Sequence, residues 1–215
     1  MSEFTYERED LSSALETYEW NDVWWEQTQE HERKRVLYIG DSISCGLRRV
    51  ATNCSGEKIL FDGFGTSKAV DNPFLADSVR LFGMQQGKRD LVIFNNGLHG
   101  FHLEDATEYK EYYEKMVCFL LEEYQDTPIA LVLTTCIEGE RNQRVEVRNQ
   151  SAREIAQKYE LPIIDLYQAS VEHVSLRSED GVHFTAEGYE KLAQVLLDSI
   201  YKIVPAMNPQ RLDKE

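Results

Sequence analysis

Short apolar runs alternate along this chain with segments whose apolar residues recur at helical spacing. The runs are rich in β-branched and aromatic side chains and predict strands at 35–40, 58–61, 90–94, 129–134 and 162–166. Helical spacing predicts helices at about 43–50, 74–82, 107–125, 145–159 and from residue 185 to about 203. Strands that alternate with helices predict a three-layer α/β/α sandwich built on a five-stranded parallel sheet.

The end of the first predicted strand carries the first candidate for chemistry. Gly40 interrupts the apolar run, and Asp41 and Ser42 follow directly before the first predicted helix. In open α/β sheets, ligands bind in the crevice at the carboxyl ends of the strands. Ser42 is therefore a candidate nucleophile, provided that a base can remove its proton. Serine is also favoured as a helix N-cap, which is the structural alternative for this residue.

A candidate base and its orienting carboxylate stand close to the C-terminus. Asp180 and His183 are three residues apart, immediately before the last predicted helix. One loop can deliver both side chains to one point, so Ser42, His183 and Asp180 form a candidate catalytic triad.

The two motifs together resemble a known family. Gly40-Asp41-Ser42 and Asp180-x-x-His183 look like the first and last sequence blocks of the SGNH (GDSL-type) esterases and lipases, and the resemblance spans residues 35 to about 203. It implies the flavodoxin-like strand order 2-1-3-4-5 and a serine ester hydrolase that uses neither a metal nor an organic cofactor. The resemblance is greatest to the carbohydrate-esterase-like members.

The resemblance also implies an oxyanion hole, the set of donors that binds the tetrahedral intermediate. One donor is the backbone N–H of Ser42. A second is the N–H of a glycine after the second strand, for which Gly65 is the choice and Gly63 the alternative.

The third donor is where this sequence departs from the family pattern. The family has Gly-x-Asn-Asp after the third strand, whereas here His99 occupies the asparagine position and Asn96 precedes Gly97. Both side chains can donate a hydrogen bond, so Asn96 and His99 both remain candidates. His99 and His102 lack a nearby third ligand, and no metal site is predicted from them.

The chain divides by sequence into three parts. Residues 1–34 form an extension that is predicted to be helical and to pack on the core, residues 35–207 form the hydrolase-like domain, and 208–215 form a polar tail. The extension contains Trp20, Trp24 and Trp25, the three tryptophans of the protein. Such a cluster either packs the extension onto the core or lines a sugar- or acyl-binding surface.

The net charge excludes some classes of binding partner, and the cysteines indicate the cellular compartment. A formal net charge of −15 argues against nucleic acid and anionic membranes as partners. The four cysteines, Cys45, Cys54, Cys118 and Cys136, do not show zinc-ligand spacing and favour free thiols in a reducing compartment. The sequence starts without a signal-peptide pattern, and no apolar run is long enough to span a membrane. We therefore expect a cytoplasmic protein, and the resemblance to the esterases implies a small ester as its partner.

The sequence leaves the substrate undecided, and it also leaves two alternative classes of protein possible. Short acyl groups, such as acetyl groups on a sugar, are the preferred substrate, with lipid acyl esters and thioesters as alternatives. An inactive SGNH-like ligand-binding module is a second possibility because the third block is altered. A flavodoxin-like nucleotide-binding protein is a third, although the phosphate-binding glycine pattern is missing after the first strand.

Overall fold

The computed structural model describes residues 15–16, 18–85, 87 and 89–208. Over these residues, six strands form one sheet: β1 (Asn21–Trp24), β2 (Lys34–Gly40), β3 (Ile59–Thr66), β4 (Leu91–Phe94), β5 (Ile129–Val132) and β6 (Ile163–Ile164). The described α-helices are α1 (Ser42–Cys54), α2 (Leu75–Gly83), α3 (Ala106–Glu123), α4 (Asn142–Lys158), α5 (Leu166–Glu172) and α6 (Ala186–Ile203). Two short 3-10 helices cover Val174–Leu176 and Pro205–Met207.

The strands lie in the order β1-β3-β2-β4-β5-β6, and all neighbouring pairs are parallel except β1 with β3. The five strands that the sequence predicted therefore have the expected order 2-1-3-4-5, and the predicted fold class is confirmed. The strand count was wrong by one, because the extension adds β1 as an antiparallel edge strand.

Both faces of the sheet are covered, which explains why its strands read as unbroken apolar runs. Successive residues of β2 point to opposite sides: Val36 and Tyr38 pack in one buried cluster, and Leu37 and Ile39 in the other. The first cluster contains residues of α1, α5 and α6, and the second contains residues of α2, α3 and α4. The core thus consists of two apolar layers that hold the strand ends, and with them the loops of the candidate site, in fixed positions.

Side chains shorten two of the predicted strands. β5 ends at Val132 because the backbone N–H of Thr134 donates to Oδ1 of Asn149 instead of continuing the ladder. β6 has two residues because Asp165 caps α5, where its carboxylate accepts from the N–H of Gln168. These differences lie at strand ends, where side-chain hydrogen bonds compete with the backbone ladder.

The N-terminal extension packs on the domain over the part that the structure describes. The indole of Trp25 stacks on Phe82, with ring centroids 4.0 Å apart and planes 5° from parallel. Trp20 meets His99 edge to face at 5.8 Å. Residues 1–14 and 17 of the extension, which was predicted to be helical, lie outside the described residues, as do positions 209–215 of the predicted tail. The division into three parts stays a prediction.

Candidate active site at the carboxyl rim of the sheet

Ser42 lies at the first turn of α1, directly beyond the end of β2. The carboxylate of Asp41 accepts from the N–H of Ile43 and so caps the helix, which leaves the Ser42 hydroxyl out of that role. A side chain on Gly40 would press against Ser44, with its Cβ only 2.8 Å from that of Ser44. Glycine thus permits the tight turn from strand to helix, and this turn presents the Ser42 hydroxyl at the rim.

His183 and Asp180 share a loop that hydrogen bonds between the Asp180 carboxylate and the loop backbone hold in place. Oδ1 of Asp180 accepts from the N–H groups of Val182 and His183, both at 2.9 Å. Oδ2 of the same carboxylate lies 2.8 Å from Nδ1 of His183. Gly181 has φ of 75°, a conformation that favours glycine, and its carbonyl accepts from the N–H of Glu138. The carboxylate therefore fixes both the turn and the plane of the imidazole.

The three residues that the sequence nominated as a triad come together in the structure. Nε2 of His183 lies 2.8 Å from Oγ of Ser42, although the two residues are 141 positions apart in the chain. If Nδ1 carries the ring hydrogen and donates a hydrogen bond to Asp180, then Nε2 is left as an acceptor for the hydroxyl proton of Ser42. A hydroxyl, an imidazole and a carboxylate that contact one another in this order can generate a nucleophilic oxygen.

The Asp180 carboxylate is held in its charged form. Its partial burial acts to raise the pKa, but the N–H groups of Val182 and His183 and the imidazole together outweigh that effect, and the net pKa is lowered. Because protonation begins only when the pH falls towards this lowered pKa, the carboxylate is ionised at neutral pH. It is thus available to accept a hydrogen bond from the Nδ1–H group and to stabilise an imidazolium.

Gly65 lies within β3 and not in a loop beyond it. It is paired with Asp22 of β1, and a side chain at this position would collide with Sγ of Cys45. The N–H of Ser67 donates to the carbonyl of Trp20, so the alternation of an antiparallel ladder turns the N–H of Gly65 towards β1 as well. The role of Gly65 as an oxyanion donor stays a prediction. In this structure, its N–H points towards β1.

The two side-chain candidates for the oxyanion hole are buried and have other partners. Nδ2 of Asn96 donates to the carbonyl of Lys68 at 2.8 Å. Nδ1 of His99 lies 2.8 Å from Oε1 of Glu16, and its ring packs against Trp20. The extension therefore lies directly on the loop between β4 and α3 (residues 95–105, the β4 loop), at the position where the family pattern would have its asparagine.

The other histidine of this loop points to a different group. Nε2 of His102 lies 2.6 Å from Oδ2 of Asp71. His99 and His102 thus contact separate carboxylates. Over the described residues, no group of three or more His, Cys, Asp or Glu side chains is arranged to hold a metal ion.

Arg148 holds the loop that follows β4. From the sequence, Arg144 and Arg148 are candidates either for tying their helix to a loop or for binding an anionic group. Arg148 is buried on α4, where its guanidinium donates to the carbonyls of Gly97, His99, Gly100 and Leu103. Burial lowers its pKa to about 10, so the group stays charged at neutral pH. The sequence signal for Arg148 was its place on the buried face of a helix, four positions after Arg144. Its partners could not be identified from the sequence, because they are backbone carbonyls.

We expect Arg148→Met to destabilise the protein by roughly 3 kcal/mol or more, because several buried carbonyls would lose their donor. For a domain of this size, that loss lowers the melting temperature by roughly 6–12 °C. Thermal or urea unfolding measures the change. Arg153→Met on the same helix is the control, since its exposed pair with Asp165 should contribute about 1 kcal/mol or less. Equal stability of the two variants would contradict the role of Arg148.

The chain has the fold of solved structures that are described as a lipase/acylhydrolase and a GDSL-like lipase. The fold that the two sequence motifs implied is thereby confirmed. A scan of the sequence against protein-family models gives no match, and no curated protein matches it by sequence.

Among solved structures, the lipase/acylhydrolase from Enterococcus faecalis is 19% identical, with a TM-score of 0.64 over 79% of this chain and 96% of that one. Est24, a carbohydrate acetylesterase from Sinorhizobium meliloti, is 14% identical, with a TM-score of 0.63 over 79% and 99% of the two chains. The acetyl xylan esterase AlAXEase is 16% identical, with a TM-score of 0.59 over 77% and 99%. At these identities, the likeness establishes the fold.

Two further observations bear on the sequence predictions. None of the described helices is long and apolar enough to cross a membrane. Cys45, Cys54, Cys118 and Cys136 are all free thiols.

Proposed function

We propose that this protein is a carboxylic ester hydrolase whose nucleophile is Ser42, with His183 as general base and Asp180 as the group that orients the imidazole. The observation that carries the proposal is the unbroken chain of contacts from the Ser42 hydroxyl through the imidazole to the carboxylate, each 2.8 Å long. Chance packing seldom aligns these three groups in this order at the carboxyl rim of an α/β sheet, where ligands bind.

The reaction follows from the positions of these groups. Nε2 of His183 takes the hydroxyl proton as Oγ of Ser42 attacks the ester carbonyl, and Asp180 stabilises the imidazolium. The imidazolium then gives its proton to the leaving alcohol, which produces an acyl-enzyme. His183 then takes a proton from a water molecule as the water oxygen attacks the acyl carbonyl, and the imidazolium returns this proton to Oγ of Ser42 as the acid leaves.

The oxyanion requires donors close to Ser42. The first N–H groups of a helix have no acceptor within the helix, so the N–H of Ser42 at the start of α1 is the first choice. Asn96 or His99 would supply the side-chain donor, and either would have to exchange its present partner, Lys68 or Glu16, for the substrate. Gly65 would likewise have to turn its N–H away from β1.

The proposed substrates are esters of short acyl groups, with acetylated carbohydrates first. Two structural neighbours are described as an acetyl xylan esterase and a carbohydrate acetylesterase, which supports this choice. Lipid acyl esters are the next choice, since other neighbours are described as lipases. The free state of the four cysteines supports the cytoplasm as the proposed compartment.

A fluorophosphonate probe tests the proposal, because it reacts covalently with an activated serine. We expect the native protein to be labelled, and peptide mass spectrometry to place the adduct on Ser42. A parallel series of p-nitrophenyl esters of increasing acyl length, with acetylated sugars beside it, defines the substrate class. A folded protein that neither reacts with the probe nor hydrolyses any ester would favour an inactive ligand-binding module.

A further inference from the structure

The loop that carries His183 is closed by its own backbone contacts. The N–H of Ser178 donates to the carbonyl of His183 at 2.8 Å, and Arg177 pairs with Phe184 as an antiparallel bridge. Contacts within the loop fix its shape, but they cannot set its distance from α1, which carries Ser42. The 2.8 Å contact between His183 and Ser42 therefore depends on side chains that join the loop to this helix.

Tyr189, near the start of α6, packs against α1. A side chain on Gly46 would collide with it, since a Cβ there would lie 2.5 Å from Cζ and 2.7 Å from the hydroxyl oxygen of Tyr189. Gly46 follows Ser42 by four residues and so lies one turn later on the same face of α1. The tyrosine ring thus lies on the helix that presents Ser42, in the space that glycine leaves.

The same side chain contacts the residue that follows His183. The ring of Tyr189 meets the ring of Phe184 edge to face, with centroids 6.0 Å apart and planes at 74°. Burial raises the pKa of the Tyr189 hydroxyl, and the N–H of Phe184 acts in the opposite direction, as a hydrogen bond to that oxygen does. Because burial outweighs this effect, the hydroxyl stays uncharged at neutral pH.

Tyr189 thus lies between the helix of the proposed nucleophile and the loop of the proposed base. It packs against the buried cluster on this side of the sheet, where side chains are close-packed and yield little. A smaller side chain at position 189 would let helix and loop approach, and a methyl group at position 46 would push the ring away. A displacement of about 1 Å between reacting groups can lower a rate by about 10²-fold.

We propose that Tyr189 is a positioning residue of this hydrolase: its ring sets the separation between the loop of His183 and the helix of Ser42, and Gly46 provides the space that receives the ring. The inference rests on the proposed hydrolase function and adds to it a residue that acts only through the nucleophile and the base.

Tyr189→Leu removes the ring, and hydrolysis of p-nitrophenyl acetate measures the result. Labelling with the fluorophosphonate probe to completion counts the active sites, so that unfolded protein does not affect the rate per site. We expect kcat and kcat/KM per labelled site to fall together by roughly 10- to 100-fold, because the alignment of base and nucleophile matters in the transition state. Tyr189→Phe keeps the ring and should retain kcat to within about fivefold, since it loses one hydrogen bond.

A second substitution tests whether the two positions are coupled. Gly46→Ala alone should lower kcat per labelled site by about tenfold, because the added methyl group displaces the ring. In the Tyr189→Leu background the smaller side chain leaves room, so Gly46→Ala should cause no further loss. Such non-additivity is expected of residues in contact.

Tyr201→Leu is the matched control. Tyr201 lies twelve residues further along α6 and packs against the same buried cluster. Its replacement should lower the melting temperature, as that of Tyr189 does, but should leave kcat per labelled site within about twofold of the native value.

The results separate this inference from the function on which it depends. Native kcat per labelled site in Tyr189→Leu, or additive losses in the double variant, would show that Tyr189 only stabilises the fold and would overturn the positioning role alone. If Tyr189→Leu does not fold, Gly46→Ala carries the test, and full activity of that variant overturns the role. A native protein that neither reacts with the probe nor hydrolyses an ester overturns the hydrolase function together with it.

Discussion

Ser42→Ala is expected to lower kcat for ester hydrolysis by at least about 10⁴-fold, because no other group in the proposed mechanism forms the acyl-enzyme. The fold should be unaffected, since Asp41 and not Ser42 caps α1. The measurement is kcat with p-nitrophenyl acetate, together with the melting temperature of the variant. Activity within tenfold of the native value in a pure sample would rule out Ser42 as the nucleophile.

Ser44→Ala is the matched control for this experiment. Ser44 is two residues further along the same helix, and its hydroxyl donates to the carbonyl of Asp41 and not to His183. Its removal costs a local hydrogen bond, so we expect less than a tenfold change in kcat. The comparison separates loss of the nucleophile from a small disturbance of the turn that presents it.

Asp180→Asn is expected to lower kcat by about 10⁴-fold through the tautomer of His183. Oδ1 of the asparagine can still accept from the N–H groups of Val182 and His183, so the loop should keep its shape. The amide NH₂ then faces Nδ1 in place of the carboxylate oxygen, and Nδ1 must become an acceptor. The imidazole proton moves to Nε2, which points at Ser42 and can no longer take a proton from it.

The measurements are kcat and the melting temperature, with Asp198→Asn as control. Asp198 lies on α6 and accepts from Gln194 at the exposed surface, so its amide variant should retain full activity. A fall in kcat without a fall in melting temperature supports the tautomer argument. An Asp180→Asn variant that works at a rate within tenfold of the native protein would show that the carboxylate is dispensable.

The five parallel strands could be predicted, and Ser42, Asp180 and His183 could be nominated, because these signals are local, whereas the strand order was implied by the resemblance to the SGNH family. A buried strand such as 36–39 reads as an apolar run, and Gly40 marks its end. Asp180 and His183 are three residues apart, directly before a helix that Thr185 caps. Each signal lies within a few residues, and the strand–helix alternation then brings the ends of the parallel strands to one rim.

Other parts of the candidate site could not be predicted because they depend on contacts between distant backbone segments. β1 forms from Asn21–Trp24 and pairs with β3, although its burial pattern is mostly exposed and carries no apolar alternation. That pairing extends β3 to Thr66, and Gly65, which also pairs with Gly40 of β2, lies inside the strand. The local sequence does not predict the pairing of β1 with β3, since any backbone can pair at an open sheet edge.

The sequence by itself determined the layered α/β/α fold and the three side chains nominated for catalysis, because hydrophobic periodicity and turn chemistry are written in neighbouring residues. Only the tertiary structure decided that Nε2 of His183 meets the hydroxyl of Ser42, that His99 contacts Glu16 across 83 positions, and that Arg148 binds the β4 loop. The physical reason is that these contacts join side chains to partners brought close by the packing of helices and strands, and such partners leave no pattern along the chain.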